Sequence, residues 1–227
     1  LKERQAQQTI QSLKCSVSGD VLTEPADIMR EAHHFYTKLY TPDPIEETAI
    51  DSLLSNVPPN VTLVSTQRSA LVAPLVMNDV VELINHSPLS KSPGIDGIPF
   101  EVYKYLILRF AQVRSLLAAT LNLALDGIFP PSWTQTRMVL LYKKGDPLSL
   151  KNWRSLSLIN CDAKLFTKLL TRRFNGVLPK LINPYQTGFL PNRLISDNGW
   201  VNNTLMAHFR SVARDVPAVA VLLDQEK

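Results

Sequence analysis

Apolar positions recur at helical spacing early in the chain. In the stretch DIMREAHHFYTKLY they fall at Ile28, Ala32, Phe35 and Leu39, and residues 1–40 read mainly as helix. Thr41-Pro-Asp-Pro stops that pattern. Residues 41–77 are rich in proline and weakly periodic, the pattern of a linker with short pieces of structure. Asn78 is placed to cap a helix over DVVELINHS, with Asp79 and Glu82 near its positive end. A loop follows, Ser90-Lys-Ser-Pro-Gly-Ile-Asp-Gly-Ile-Pro99, in which Asp96 and Gly97 read as a turn. Pro99 suits the first turn of a further helix, whose apolar spacing runs to about Leu125 before Gly127 ends it.

The period then changes. Met138–Tyr142 reads as a strand, Lys143-Lys-Gly-Asp-Pro147 as the start of a turn region, and Asn152–Leu158 as the returning strand of a β-hairpin. Asn160 or Asp162 caps the next helix. On that helix Lys164, Lys168 and Arg172 form one stripe, and Leu165, Phe166, Leu169 and Leu170 form an apolar face roughly 130° away. Arg173 falls within the apolar face and must snorkel or find a partner. Near the end, Ala218-Val-Ala-Val-Leu-Leu reads as a buried strand that delivers Asp224. The fold class expected is α+β, helices with one small antiparallel hairpin and one truncated strand. No internal repeat or low-complexity tract is present.

Composition narrows this little. A hydrophobic content of 45% is enough for a core. No apolar run approaches the roughly 18 residues of a membrane span, and LKERQAQQTIQ lacks the apolar segment of a signal peptide. Leu1 reads as a fragment boundary. Cys15 and Cys161 lack CxxC spacing, which argues against zinc and for a reduced, intracellular protein. His33, His34, His86 and His208 show no ligand spacing, and Trp133 and Trp153 read as packing residues.

Charge changes the picture. From Arg137 to Arg193 there are eleven Lys/Arg against two acids, Asp146 and Asp162, a net +9; the whole chain is +4, so the remainder is −5. One basic segment in an otherwise slightly acidic chain is the footprint of a polyanion site. Lys143 and Arg154, at neighbouring strand ends, are placed to face one anion, with a point charge and a bidentate fork; a solvated charged turn is the plainer alternative. The Lys164, Lys168, Arg172 stripe suits a nucleic-acid backbone, or is an ordinary exposed face. Tyr185-Gln-Thr-Gly-Phe-Leu-Pro-Asn-Arg193 suits stacking on a base; on residue types alone a structural turn holding a core Phe is the better reading. Asp224 at a strand end suits a metal at a sheet rim, or is a capped end.

Four segments in order, SPGIDGIPFEVYK (92–104), KKGDPLSLKNWRSLSLIN (143–160), QTGFLPNR (186–193) and LLDQEK (222–227), resemble the reverse transcriptases of LINE-type (non-LTR) retrotransposons. The resemblance covers roughly residues 75–227. It implies an N-terminal extension over 1–77, then the fingers and the incomplete start of the palm of a right-hand polymerase over 78–227. It implies RNA-directed DNA synthesis with an RNA template, a DNA primer, dNTP and Mg²⁺, in the cytoplasm or nucleus. By the same likeness, Lys143 and Arg154 sit over the triphosphate. Gln186, Gly188, Phe189 and Arg193, with the stripe, lie along the nucleic acid. Asp224 is the first catalytic, metal-binding aspartate, and Lys227 begins the Lys-Ala-Phe-Asp that normally follows. The chain stops before the second carboxylate motif and the thumb, so the expectation is a fragment that does not polymerise alone. Ser155, where the family has Pro, and Leu190, where a basic residue is common, mark a diverged copy. Three rival readings are a non-catalytic basic RNA-binding fragment, the product of a dead element, and a separate nucleotide-binding enzyme. The absence of GxxxxGK[ST] argues against the last.

Overall fold

A computed structural model of the chain describes residues 10–58, 61–212 and 221. In chain order its elements are β1 (Leu13–Lys14), β2 (Val21–Leu22), α1 (Pro25–Tyr40), α2 (Glu47–Ser55), α3 (Ser65–Val72), α4 (Met77–Asn85), α5 (Phe100–Arg109), α6 (Ala111–Leu125), β3 (Arg137–Tyr142), β4 (Trp153–Leu158), α7 (Cys161–Asn175), α8 (Leu178–Leu181) and α9 (Ile195–Val212). About 54% of the described residues are helical, and the described strands form two antiparallel pairs, β1 with β2 and β3 with β4. The class is α+β. The strand expected to end at Asp224 lies outside the described residues.

The larger core is helical. Val80, Leu83 and Ile84 of α4, Phe100 and Ile107 of α5, Leu117 and Leu121 of α6, and Leu165, Phe166 and Leu169 of α7 form one buried cluster. The periodic apolar faces read from the sequence are the faces that meet here. Arg173 does find a partner: its guanidinium donates to Leu71 O (2.8 Å) and Ala73 O, tying α7 to the end of α3. Trp133 packs against Phe166, ring centroids 5.3 Å apart, so its expected packing role holds.

Three expectations need correction. The helix read from Pro99 to Leu125 is two helices, bent by 115° where Phe110 is extended. Unbroken apolar spacing could not reveal the break, because both segments bury apolar residues on one cluster. Arg114 makes the break tolerable, donating to Ile107 O (3.0 Å) and Leu108 O (3.1 Å), carbonyls near the end of α5. Helix α4 starts at Met77, and the Asp79 carboxylate accepts the Val76 N–H at 3.0 Å, so Asp79 rather than Asn78 does the capping. Residues 13–22, read as helix, instead form a short ribbon turned at Gly19 (φ +81°), with Cys15 N–H donating to Asp20 O at 2.8 Å. Gly127 ends α6 as expected. Its φ is +86°, and the Ile128 N–H reaches back to Leu123 O (2.9 Å), a Schellman closure.

A second, smaller cluster joins the N-terminal segment to the β3–β4 hairpin. Leu13, Tyr36, Leu150 and Trp153 are its buried members, with Ile28, Ala32, Phe35 and Leu140 packed around them. Lys14 N–H also donates to Leu148 O (2.9 Å), and Tyr40 and Ser155 share a hydroxyl–hydroxyl hydrogen bond of 2.7 Å. Among the described residues no single helix is long and apolar enough to cross a membrane.

Candidate nucleotide and nucleic-acid interface

The hairpin positions the first pair of site residues. Its register sets Leu141 opposite Arg154 and Tyr142 opposite Trp153. Side chains alternate across a strand, so Arg137, Val139, Leu141, Arg154, Leu156 and Leu158 share one face, and Met138, Leu140, Tyr142, Trp153 and Ser155 share the other. The second face is the one that α1 covers, through Leu140, Trp153 and Ser155. The first face is largely open: Leu141 and Leu156 are exposed, as are Lys143 and Arg154. Lys143 continues the parity of Leu141, and its N–H donates to Asn152 O at 2.8 Å, so the strand pairing extends to it. Lys143 and Arg154 are therefore diagonal neighbours on one open face, with Cα atoms roughly 7–8 Å apart. Neither side chain has a hydrogen-bond or ion-pair partner among the described residues. Arg137 lies on the same face at its far end and was not singled out in the sequence; the alternation of β3 carried that signal.

The stripe on α7 is not an open face. Lys164 Nζ donates to Ser92 O (3.0 Å), Lys168 Nζ to His86 O, and Arg172 to the Glu82 carboxylate (2.6 Å). The three cations stitch α7 to α4 and to the loop after it. Burial holds the Lys168 ammonium below its ordinary pKa. The hydrogen bond from Arg172 holds the Glu82 carboxyl below the usual carboxylate range, and the Ser90 N–H does the same for Glu101. A depressed carboxylate stabilises the fold above its unfolded pKa, about 4.3, and that contribution is lost as pH falls through the lower folded value. The urea midpoint should therefore fall on acidification below about pH 4.3, and Glu82→Gln should flatten that fall. An equally steep acid limb in Glu82→Gln would show that the pair carries none of it.

The third group lies in the loop between α8 and α9. Gln186 is exposed, Thr187 is buried and Gly188 is half-buried. Phe189 has φ +62° and is 105% exposed, which overturns the expectation of a core phenylalanine. Asn192 has φ +61°, and the Thr187 hydroxyl is buried with no partner among the described residues. A left-handed, bulky, fully exposed aromatic costs about 1–3 kcal/mol of strain and survives only where its surroundings enforce it. Beside it, Arg193 donates to Asn183 O and Gln186 O (both 2.7 Å) and to Pro179 O and Ile182 O (both 3.2 Å).

No protein-family model matches the chain. It is 31% identical over 211 residues to "Transposon TX1 uncharacterized 149 kDa protein" of Xenopus laevis, covering 92% of this chain and 15% of that protein. Over 127 residues it is 30% identical to "Probable RNA-directed DNA polymerase from transposon BS" of Drosophila melanogaster. Over 127 residues it is also 28% identical to "RNA-directed DNA polymerase from mobile element jockey" of the same organism. Each of these two matches covers 54% of this chain and 14% of the relative. The chain belongs to the reverse transcriptases of LINE-type retrotransposons. It spans only 14–15% of the length of these relatives.

In this LINE-type sequence the SPGIDG loop has a partner that its composition did not announce. Gly97 (φ +71°) and the Asp96 carboxylate, which accepts the Ile98 N–H at 3.0 Å, make the expected turn. Asn160 holds it in place. It stands at the N-cap position of α7, as read, yet its side chain makes no capping bond to that helix. Its Oδ1 accepts the Asp96 N–H (3.3 Å) and its Nδ2 donates to Ser132 O (3.4 Å). Gly94 packs against it so closely that a Cβ would lie 2.5 Å from Asn160 N and 2.6 Å from its Cα. Asp224 and Lys227 lie outside the described residues. Among the described residues no group of three His, Cys, Asp or Glu side chains converges to hold a metal ion.

Proposed function

We propose that this chain forms the fingers and the start of the palm of a LINE-type RNA-directed DNA polymerase. In this reading residues 78–227 bind the incoming dNTP and the RNA template with its DNA primer. Within the 1–77 extension, residues 10–40 brace the hairpin from behind. The observation that carries it is the open hairpin face, where Lys143 and Arg154 stand as diagonal neighbours without side-chain partners among the described residues. Such a face offers a triphosphate two cations on a stiff element, one a point charge and one a planar fork. The exposed Phe189 with Gln186 and Gly188 supplies a stacking surface for a base. Lys164, Lys168 and Arg172 add positive potential along the strand while bracing α7. Asp224 is the metal-binding aspartate of the reading, with Mg²⁺ as its ion. In the same reading the chain binds its ligands without polymerising alone, in the cytoplasm or nucleus.

Titration with a fluorescent dATP analogue and, separately, with a labelled single-stranded RNA tests this. Arg154→Ala removes a hydrogen bond to a charged group, typically about 1.5–3 kcal/mol. It should weaken dATP binding by about 10- to 100-fold and leave RNA affinity within about twofold. Equal loss of both ligands would remove the nucleotide role. Salt-dependent RNA binding with no dATP binding by the unmodified chain would leave a non-catalytic RNA-binding segment instead.

A further inference from the structure

We infer that Arg193 is a positioning residue: its guanidinium holds the loop between α8 and α9 in the shape that presents Gln186 and Phe189, and it does not itself contact phosphate. This rests on the nucleic-acid reading of that loop. Residue type alone favours a phosphate contact, but the geometry leaves little to make one with. A guanidinium has four terminal N–H donors and one Nε–H. Nη1 donates to Asn183 O and Gln186 O, and Nη2 to Pro179 O and Ile182 O. All four terminal donors are taken, so the fork that recognises phosphate is turned inward.

The four carbonyls it gathers are informative. Pro179 O and Ile182 O lie in and just after α8; Asn183 O and Gln186 O begin the loop. Arg193 stands ten residues after Asn183 and closes the loop on its own start. Local bonds complete the frame: Tyr185 N–H to the Asn183 side chain (2.9 Å), Gln186 N–H to Asn183 O (3.0 Å) and Arg193 N–H to Leu190 O (3.4 Å). Inside this frame lie the left-handed Phe189 and the left-handed Asn192. Lysine cannot substitute. Its three donors radiate from one nitrogen and do not reach four carbonyls at once.

The test uses the full chain with a single-stranded RNA carrying one 2-aminopurine, whose quenching reports stacking. The variants are Arg193→Lys, Arg193→Gln and Phe189→Ala, with far-UV circular dichroism as a check on folding. Arg193→Lys should lose quenching to the level of Phe189→Ala and weaken binding by about tenfold. Its slope of log affinity against log salt should stay at the wild-type value. The inference is overturned if Arg193→Lys keeps affinity and quenching while Arg193→Gln lowers the salt slope by about one, the mark of a lost phosphate contact. If the unmodified chain binds no RNA, the functional reading fails. Hydrogen exchange then decides the inference alone: Arg193→Lys must speed exchange at Gln186 and Arg193 while the amides of α7 keep their protection. Unchanged exchange at those two amides would sink it.

Discussion

Gly94→Ala should destabilise the fold by about 3 kcal/mol or more, a drop of roughly 6–12 °C in Tm for a domain of this size. The methyl group would meet backbone. A Cβ at residue 94 would stand 2.5 Å from Asn160 N and 2.6 Å from Asn160 Cα, at the position where α7 begins. A flexible side chain could swing away from such a contact, but a helix start cannot. Relief requires pulling the 90–99 loop off α7. That breaks the Asp96 N–H bond to Asn160 and the Lys164 bond to Ser92 O, and leaves the buried Asn160 amide short of a partner. The control is Gly97→Ala three residues on. There a Cβ meets nothing within 4 Å, and the only cost is the left-handed φ of +71°, about 1 kcal/mol. Thermal denaturation of both variants checks this. Equal, small losses would mean that the loop does not sit on α7.

Leu121→Ala should cost about 2–5 kcal/mol, and Leu205→Ala on α9 should stay within about 0.5 kcal/mol. Both are leucines in long helices with apolar neighbours in sequence. Leu121 is 0% exposed inside the cluster shared by α4, α5, α6 and α7. Its truncation leaves a cavity that four packed helices cannot close. Leu205 is 49% exposed, and the described side chains of α9 all lie on the surface, Trp200, Val201 and Phe209 included. Urea denaturation of both variants in the same buffer gives the comparison. A loss above about 1 kcal/mol at Leu205 would show that α9 is covered in solution.

The contrast between those two leucines shows how far the sequence could be read. Local rules found most elements. The hairpin, the left-handed stop at Gly127, the Asp96–Gly97 turn and the packing roles of Trp133 and Trp153 were legible, because each depends on a period of two or 3.6 or on one residue's φ. Local rules failed where a single side-chain-to-backbone contact, rather than periodicity, decided the conformation. The break at Phe110 is tolerated because Arg114 meets the freed carbonyls. On residue type alone Phe189 reads as core, because aromatics usually are, and it is exposed because Arg193 locks the loop around it.

The same division runs through the candidate site. Sequence by itself determined the family, the concentration of positive charge between Arg137 and Arg193, the pairing of β3 with β4 and the apolar faces of α4 and α7. Those follow from composition, order and periodicity, which belong to residues close in the chain. Only the tertiary structure decided which cations remain available. Lys143 and Arg154 stay open because α1 covers the opposite face of their hairpin. Lys164, Lys168, Arg172 and Arg193 are engaged because carbonyls and a carboxylate from other segments come within hydrogen-bond reach. Charge is a property of the residue, but its partner is set by packing, and no local pattern encodes a contact across 72 or 90 positions.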